Sequence, residues 1–253
     1  MADILTADYA QATLRPSPNY GARRGTGGIT MLIMHYTGME SAEAAEQHLQ
    51  SPESMVSAHY VVREDGAVVQ MVAESARAWH AGESFWQGER DINSRSIGIE
   101  VVNAGPLRDF PAFPHVQIAA LVRLSADIIA RHGIGARHVL AHSDIAPMRK
   151  IDPGEKFPWD ELALAGIGHF VPPQPVSGGR FMARGESGRP VEALQSMLSL
   201  YGYGLEISGI FDEMTESVIR AFQRHFRPMR VDGVADASTI ATLHHLLAAL
   251  QAL

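Results

Sequence analysis

Cysteine is missing altogether, which removes disulfides, thiol nucleophiles and thiolate-held metals from consideration. Any metal must be held by histidines and carboxylates. Positive charge is also scarce. The 21 lysines and arginines face 28 aspartates and glutamates, a formal charge of -7 that works against non-specific attraction to nucleic acid or anionic lipid. No apolar run approaches the length of a membrane span. The amino-terminal stretch "MADILTADYAQATLRPSPNYGARRG" likewise has no apolar segment of the length a secretory signal needs. Neither a nucleic acid partner nor a membrane span is expected. The location expected is cytoplasmic if Met1 is the native start, with the periplasm or cell envelope as the alternative.

What is present is patterned in two regions. With 253 residues, nearly half of them apolar, the chain is long enough for one large core or two unequal ones. "VPPQPVSGGR" at residues 171–180 has the proline and glycine density of a linker, separating residues 1–170 from 181–253. Upstream, "ITMLIMHY" (29–36) reads as a buried strand ending on His35 and its neighbour. "AHYVVRE" and "AVVQMV" flank an Asp65-Gly66 hairpin turn, and "SIGIEVVN" (96–103) reads as a further strand. Residues 114–132 place Ile118, Leu121, Val122, Ile128 and Ile129 near one helical face, with Gly133 where a cap is expected. "RHVLAH" returns as a strand delivering His142. Strands interleaved with helices predict an α/β fold, a mixed central sheet flanked by helices.

Downstream the sequence repeats the pattern G-[IV]-x-D-x-x-T, as "GIFDEMT" (209–215) and "GVADAST" (233–239), each Asp a candidate helix N-cap. The helices that follow carry Val218, Phe222 and Phe226, then Ile240, Leu243 and Leu247; a preceding one carries Val191, Leu194 and Leu198. This predicts a small C-terminal three-helix bundle.

Twelve histidines must be sorted. His48, His115, His132, His225, His244 and His245 fall on predicted helices or beside their caps and read as structural or solvated. His138 and His142 stand four apart, the spacing of a zinc pair on a helix, but the segment reads as a strand and the inference is set aside. His35 and His142 remain, each at a strand end, with Asp152 in the Pro- and Gly-punctuated "APMRKIDPG". Two imidazoles and a carboxylate make a catalytic zinc set with a fourth position for water. The competing assignment has Asp152 capping the Asp-Pro-Gly turn and the histidines bonding backbone carbonyls. Ser143 lies in no G-x-S-x-G elbow.

"MLIMHYTGM", "SAHYVVREDG", "RAWHAG", "SIGIEVVN" and "HSDIAPMRKIDPG", in this order, resemble the zinc-dependent N-acetylmuramoyl-L-alanine amidases of the AmpD and phage-lysozyme type. "GESGRPVEALQSMLSLYGY" and the repeats after it resemble the three-helix peptidoglycan-binding module often attached to them. The resemblance implies a zinc amidase domain in residues 1–170 and a peptidoglycan-binding domain in 181–253. Peptidoglycan or muropeptide fragments would be the partners. It makes His35, His142 and Asp152 the Zn2+ ligands, and Glu100 and Lys150 the polar catalytic pair. The phage members have Cys as third ligand where this chain has Asp152, which agrees with its lack of cysteine.

For Glu100 the competing reading is an outward-facing strand residue, and for Lys150 a solvated loop lysine. Trp79 and His80 either form a wall contacting sugar or stem peptide or pack under a loop. A non-catalytic peptidoglycan-recognition protein on the same fold is the alternative function. The bundle is expected to anchor the enzyme to polymer, so that its removal spares small substrates, unless its role is oligomerisation or packing onto the catalytic domain.

Overall fold

The computed structural model describes residues 7–176, 178–179 and 181–250, so parts of the amino-terminal stretch and the linker, Ser177 and Arg180 among them, lie outside the described residues. Among the described residues there are eight strands: β1 (Thr13–Leu14), β2 (Tyr20–Ala22), β3 (Met31–Tyr36), β4 (Tyr60–Val62), β5 (Val68–Gln70), β6 (Ala76–Ala78), β7 (Ser96–Val101) and β8 (Val139–Ala141). The helices are α1 (Ala42–Gln50), α2 (Ile92–Arg95), α3 (His115–His132), α4 (His142–Ile145), α5 (Trp159–Leu164), α6 (Arg189–Tyr201), α7 (Glu213–Phe226) and α8 (Ala237–Ala249). Six strands form a mixed sheet in the order β1-β5-β4-β7-β3-β8, parallel except for the β4–β5 hairpin. β2 and β6 form a separate antiparallel pair. The fold is the mixed α/β architecture expected. No helix among the described residues is long and apolar enough to cross a membrane.

The alternation of a strand's side chains assigns each face of the sheet. From β3, Leu32 and Met34 join Ile97, Ile99 and Val101 of β7 in a core closed by Ile118, Leu121, Leu124 and Ile128 of α3. Helix α3 ends at Gly133, whose φ of 66° is left-handed and whose N–H donates to the Ile129 carbonyl at 2.9 Å. Met31 and Ile33 point the other way. With Trp86, Ile92, Leu140 and Ile145 they enter a core built largely from the C-terminal bundle, including Leu194, Leu198, Phe211, Phe222 and Phe226. The bundle therefore packs on the sheet region rather than standing apart from it.

The repeat is visible as structure. Asp212 accepts from the Thr215 N–H at 2.8 Å and Asp236 from the Thr239 N–H at 2.8 Å, capping α7 and α8. A buried glutamine brackets each preceding loop. Gln195 accepts from Gly209 N and donates to the Ile210 carbonyl, and Gln223 does the same with Gly233 N and the Val234 carbonyl.

Candidate active site

β3 and β7 run parallel with His35 opposite Glu100, while Val61 of β4 opposes Glu100 from the other side. Both polar residues thus sit in the middle of the sheet, near the ends of their strands. The third contributor differs from expectation. Only Val139–Ala141 of "RHVLAH" is strand; His138 ends a short 3₁₀ turn and bonds Gln87, and His142 opens α4. The strand ends there because Asp144 takes the Ala141 N–H at 2.8 Å, turning the chain into a helix that begins on His142.

The structure brings His35, His142 and Asp152 together. His35 Nδ1 and His142 Nδ1 are 2.9 Å apart, and Asp152 Oδ2 lies 3.1 Å from the first and 2.9 Å from the second. All three residues are buried. His142 Nε2 faces the Ala81 carbonyl at 3.2 Å. A carbonyl only accepts, so Nε2 carries the hydrogen, and in the neutral ring Nδ1 is a lone pair aimed at the carboxylate. Burial, then His142, pushes His35 below its ordinary pKa, toward the neutral form. Burial alone would raise Asp152, but the two histidines beside it hold it well below the usual carboxylate range. Two imidazole nitrogens and one carboxylate oxygen, converging with no amine among them, are a donor set suited to a divalent cation. The loop after α4 is tied to it, with the Ser143 N–H donating to the Asp152 carbonyl at 3.0 Å.

A cleft of about 370 Å³ opens on this cluster, lined also by Glu100, Lys150, Trp79 and Arg149. Glu100 Oε2 is buried with no hydrogen-bond partner. Burial, reinforced by Asp152, raises the Glu100 carboxyl well above its ordinary value, against a lowering effect of Lys150. Trp79 is half-buried on the wall of the cleft. His80 is different: although it borders the cleft, both its ring nitrogens point into the protein, 3.1 Å from His35 Nε2 and 3.1 Å from Ser96 Oγ. It has no nitrogen left for a ligand. A larger neighbouring cleft of about 780 Å³, between Phe85, Met148 and Leu205, shares Arg149 with the first.

The sequence reading missed what holds α4. Asp144, fully buried, accepts from Tyr203 Oη at 2.7 Å and from His225 Nδ1 at 2.7 Å, both on the C-terminal bundle. His225 is stacked between Trp159 and Phe226, at 3.7 and 3.8 Å between ring centroids, so its role is structural.

Residues 25–155, which include every site residue named above from His35 to Asp152, match the model of the N-acetylmuramoyl-L-alanine amidase family. The chain belongs to that family. Residues 187–243 match a peptidoglycan-binding domain model. The amidase is 40% identical over 234 residues to N-acetylmuramoyl-L-alanine amidase AmiD of Escherichia coli, covering 87% of this chain and 82% of that one. It is 33% identical over 167 residues to the 1,6-anhydro-N-acetylmuramyl-L-alanine amidase AmpD of Citrobacter freundii, covering 59% of this chain and 87% of that protein. Among solved structures, E. coli AmiD in complex with anhydro-N-acetylmuramic acid-L-Ala-D-gamma-Glu-L-Lys superposes with a TM-score of 0.74 at 35% identity, covering 93% of each chain. AmpDh3 of Pseudomonas aeruginosa in complex with anhydromuramic pentapeptide gives 0.75 at 32% identity, covering 98% of this chain and 99% of that one. The amidase is thus a hydrolase of an amide bond, and its fold is shared along nearly its full length with these enzymes.

Proposed function

We propose that the amidase holds one zinc ion on His35, His142 and Asp152 and hydrolyses the amide between N-acetylmuramic acid and the L-alanine of a peptidoglycan stem peptide. The convergence of His35 Nδ1, His142 Nδ1 and Asp152 Oδ2 within 3.1 Å of one another carries this reading. Relatives named for the 1,6-anhydro sugar, and neighbours solved with anhydromuramyl peptides, support wall fragments in recycling as the substrate class. The match of residues 187–243 supports contact of the bundle with peptidoglycan, with 1–170 as the catalytic part and 171–180 joining them.

Zinc with three protein ligands supplies acidified water and a polarised carbonyl. Glu100 takes the proton of the attacking water and returns it to the leaving alanine nitrogen. A carboxyl raised by burial toward the working pH is suited to both halves of that transfer. Lys150, on the loop that carries Asp152, stabilises the negative charge that develops on the amide oxygen. Trp79 offers an aromatic face to the sugar or stem peptide.

Zinc content and product mass after incubation with a defined anhydromuropeptide, for the wild type and for Asp152→Ala, test the proposal. One zinc per chain and release of free stem peptide by the wild type alone are expected. A wild type that binds muropeptide with no zinc and no cleavage would make it a recognition protein on this fold.

A further inference from the structure

The segment "RAWHAG" places His80 behind the metal site rather than before the substrate. We propose that His80, fixed by Ser96, is a positioning residue that locks His35 in the tautomer able to bind metal, and that the same short loop orients His142 as well. The inference deepens the zinc reading and rests on it.

The chain of donors and acceptors has one solution. Ser96 Oγ lies 2.7 Å from the Ile92 carbonyl, which only accepts, so the single hydroxyl hydrogen of Ser96 points there. Toward His80 Nε2, at 3.1 Å, Ser96 is left only as an acceptor, and His80 Nε2 must carry the hydrogen. The ring is buried, and a buried imidazole with its hydrogen on Nε2 presents a lone pair at Nδ1. That lone pair faces His35 Nε2 at 3.1 Å, and therefore Nε2 of His35 is the protonated nitrogen. His35 Nδ1 is thereby freed toward Asp152 and His142. An imidazole fixed by a second imidazole, itself fixed by a hydroxyl, performs here the orienting task that a carboxylate or carbonyl performs behind other metal-bound histidines.

Two further observations belong to the same device. The backbone N–H groups of His80 and Ala81 both donate to Asn93 Oδ1, at 3.0 and 2.8 Å, pinning the loop. The carbonyl of Ala81 receives the Nε2 hydrogen of His142, so one pinned loop sets both histidines. Room for the His80 ring comes from Gly98, where a Cβ would stand 2.5 Å from it. Ser96, Gly98 and Glu100 alternate on one face of β7: the first fixes His80, the second admits it, and the third faces the cleft.

The test uses the full chain. Nitrogen-15 histidine spectra of the zinc-free protein report the tautomer directly and do not depend on metal or activity. His35 protonated at Nε2 is expected, and protonation at Nδ1 overturns the proposal. Zinc affinity by chelator competition is then compared for His80→Leu, which has no acceptor, and His80→Asn, whose amide oxygen replaces the Nδ1 acceptor on a side chain of the same shape. Outer-shell losses of this kind weaken metal binding roughly 10- to 100-fold. That loss is expected for His80→Leu and for Ser96→Ala, with His80→Asn within about threefold of the wild type on the same scale. Equal weakening in the Leu and Asn variants would make His80 mere packing and overturn the proposal, as would no weakening in either. A wild type without stoichiometric zinc would instead fail the metal reading, leaving the spectra to decide the tautomer.

Discussion

At the residue scale, Glu100 is set apart from an ordinary strand glutamate by having a strand on each side and an unpartnered oxygen. Glu100→Gln keeps the shape and removes the proton acceptor. Zinc content should be unchanged while kcat on a muropeptide falls roughly 10²- to 10⁴-fold, the range of a lost general base; turnover within a few-fold of the wild type would remove Glu100 from the mechanism. A second carboxyl, Glu74, governs stability instead of chemistry. It is buried and accepts from Tyr60 Oη at 2.6 Å, Arg131 Nη2 at 2.8 Å and His132 Nε2 at 2.6 Å. Burial opposes its ionisation, but these donors prevail and pull its pKa down to about 2. A carboxyl depressed in the folded state gives stability that is complete above its unfolded value near 4.5 and is lost as pH falls through the folded one. Urea midpoints of wild type and Glu74→Gln should therefore differ most at neutral pH and converge between about pH 4.5 and 2. A gap that stayed constant with pH would assign the effect to shape alone. Neither Glu100's isolation nor Glu74's donors could be read from sequence, because both depend on neighbours 14 or more residues away.

At the scale of elements, segments with a strong period were legible. The run ending at His35, the 96–101 strand and α3 with its Gly133 cap lie where apolar spacing and cap chemistry put them. Both Asp caps of the repeat do too. Illegible was the point where a long-range partner overrides local pattern: His142 opens a helix because Asp144 captures the Ala141 N–H, and Asp144 is held from the bundle by Tyr203 and His225. Nothing in "AHSDIAP" announces a hydroxyl 59 residues away. Tyr203→Phe tests the clamp. A hydrogen bond to a charged group is worth about 1.5–3 kcal/mol, so the unfolding midpoint of chelator-treated protein should drop accordingly. Zinc should also bind more weakly, since α4 begins at a ligand. An unfolding curve that shifts while zinc affinity does not would mean that the clamp stabilises the fold without setting the site.

At the scale of the whole molecule, the bundle does more than a tethered anchor would. Met31, Ile33, Trp86, Ile92, Leu140 and Ile145 of the sheet region are at most 5% exposed, and all lie in the core shared with α6, α7 and α8. The Gln87 N–H donates to the Gly202 carbonyl, and Arg137 Nε donates to the Tyr201 carbonyl at 2.8 Å, so polar contacts also cross the junction. A flexible anchor would leave the catalytic part self-sufficient, and removing residues 178–253 would then cost only affinity for polymer. The shared core argues the opposite. At about 2 kcal/mol for each large apolar side chain returned to water, uncovering these residues approaches the roughly 5–15 kcal/mol that keeps a domain folded. The truncated chain should therefore aggregate or bind hydrophobic dye, and lose hydrolysis of small anhydromuropeptides together with hydrolysis of intact sacculi. A soluble truncation with undiminished kcat on the small substrate and weaker binding to sacculi would restore the anchor as the bundle's whole role. It would also show that the Asp144 clamp is dispensable, because the deletion removes both of its partners.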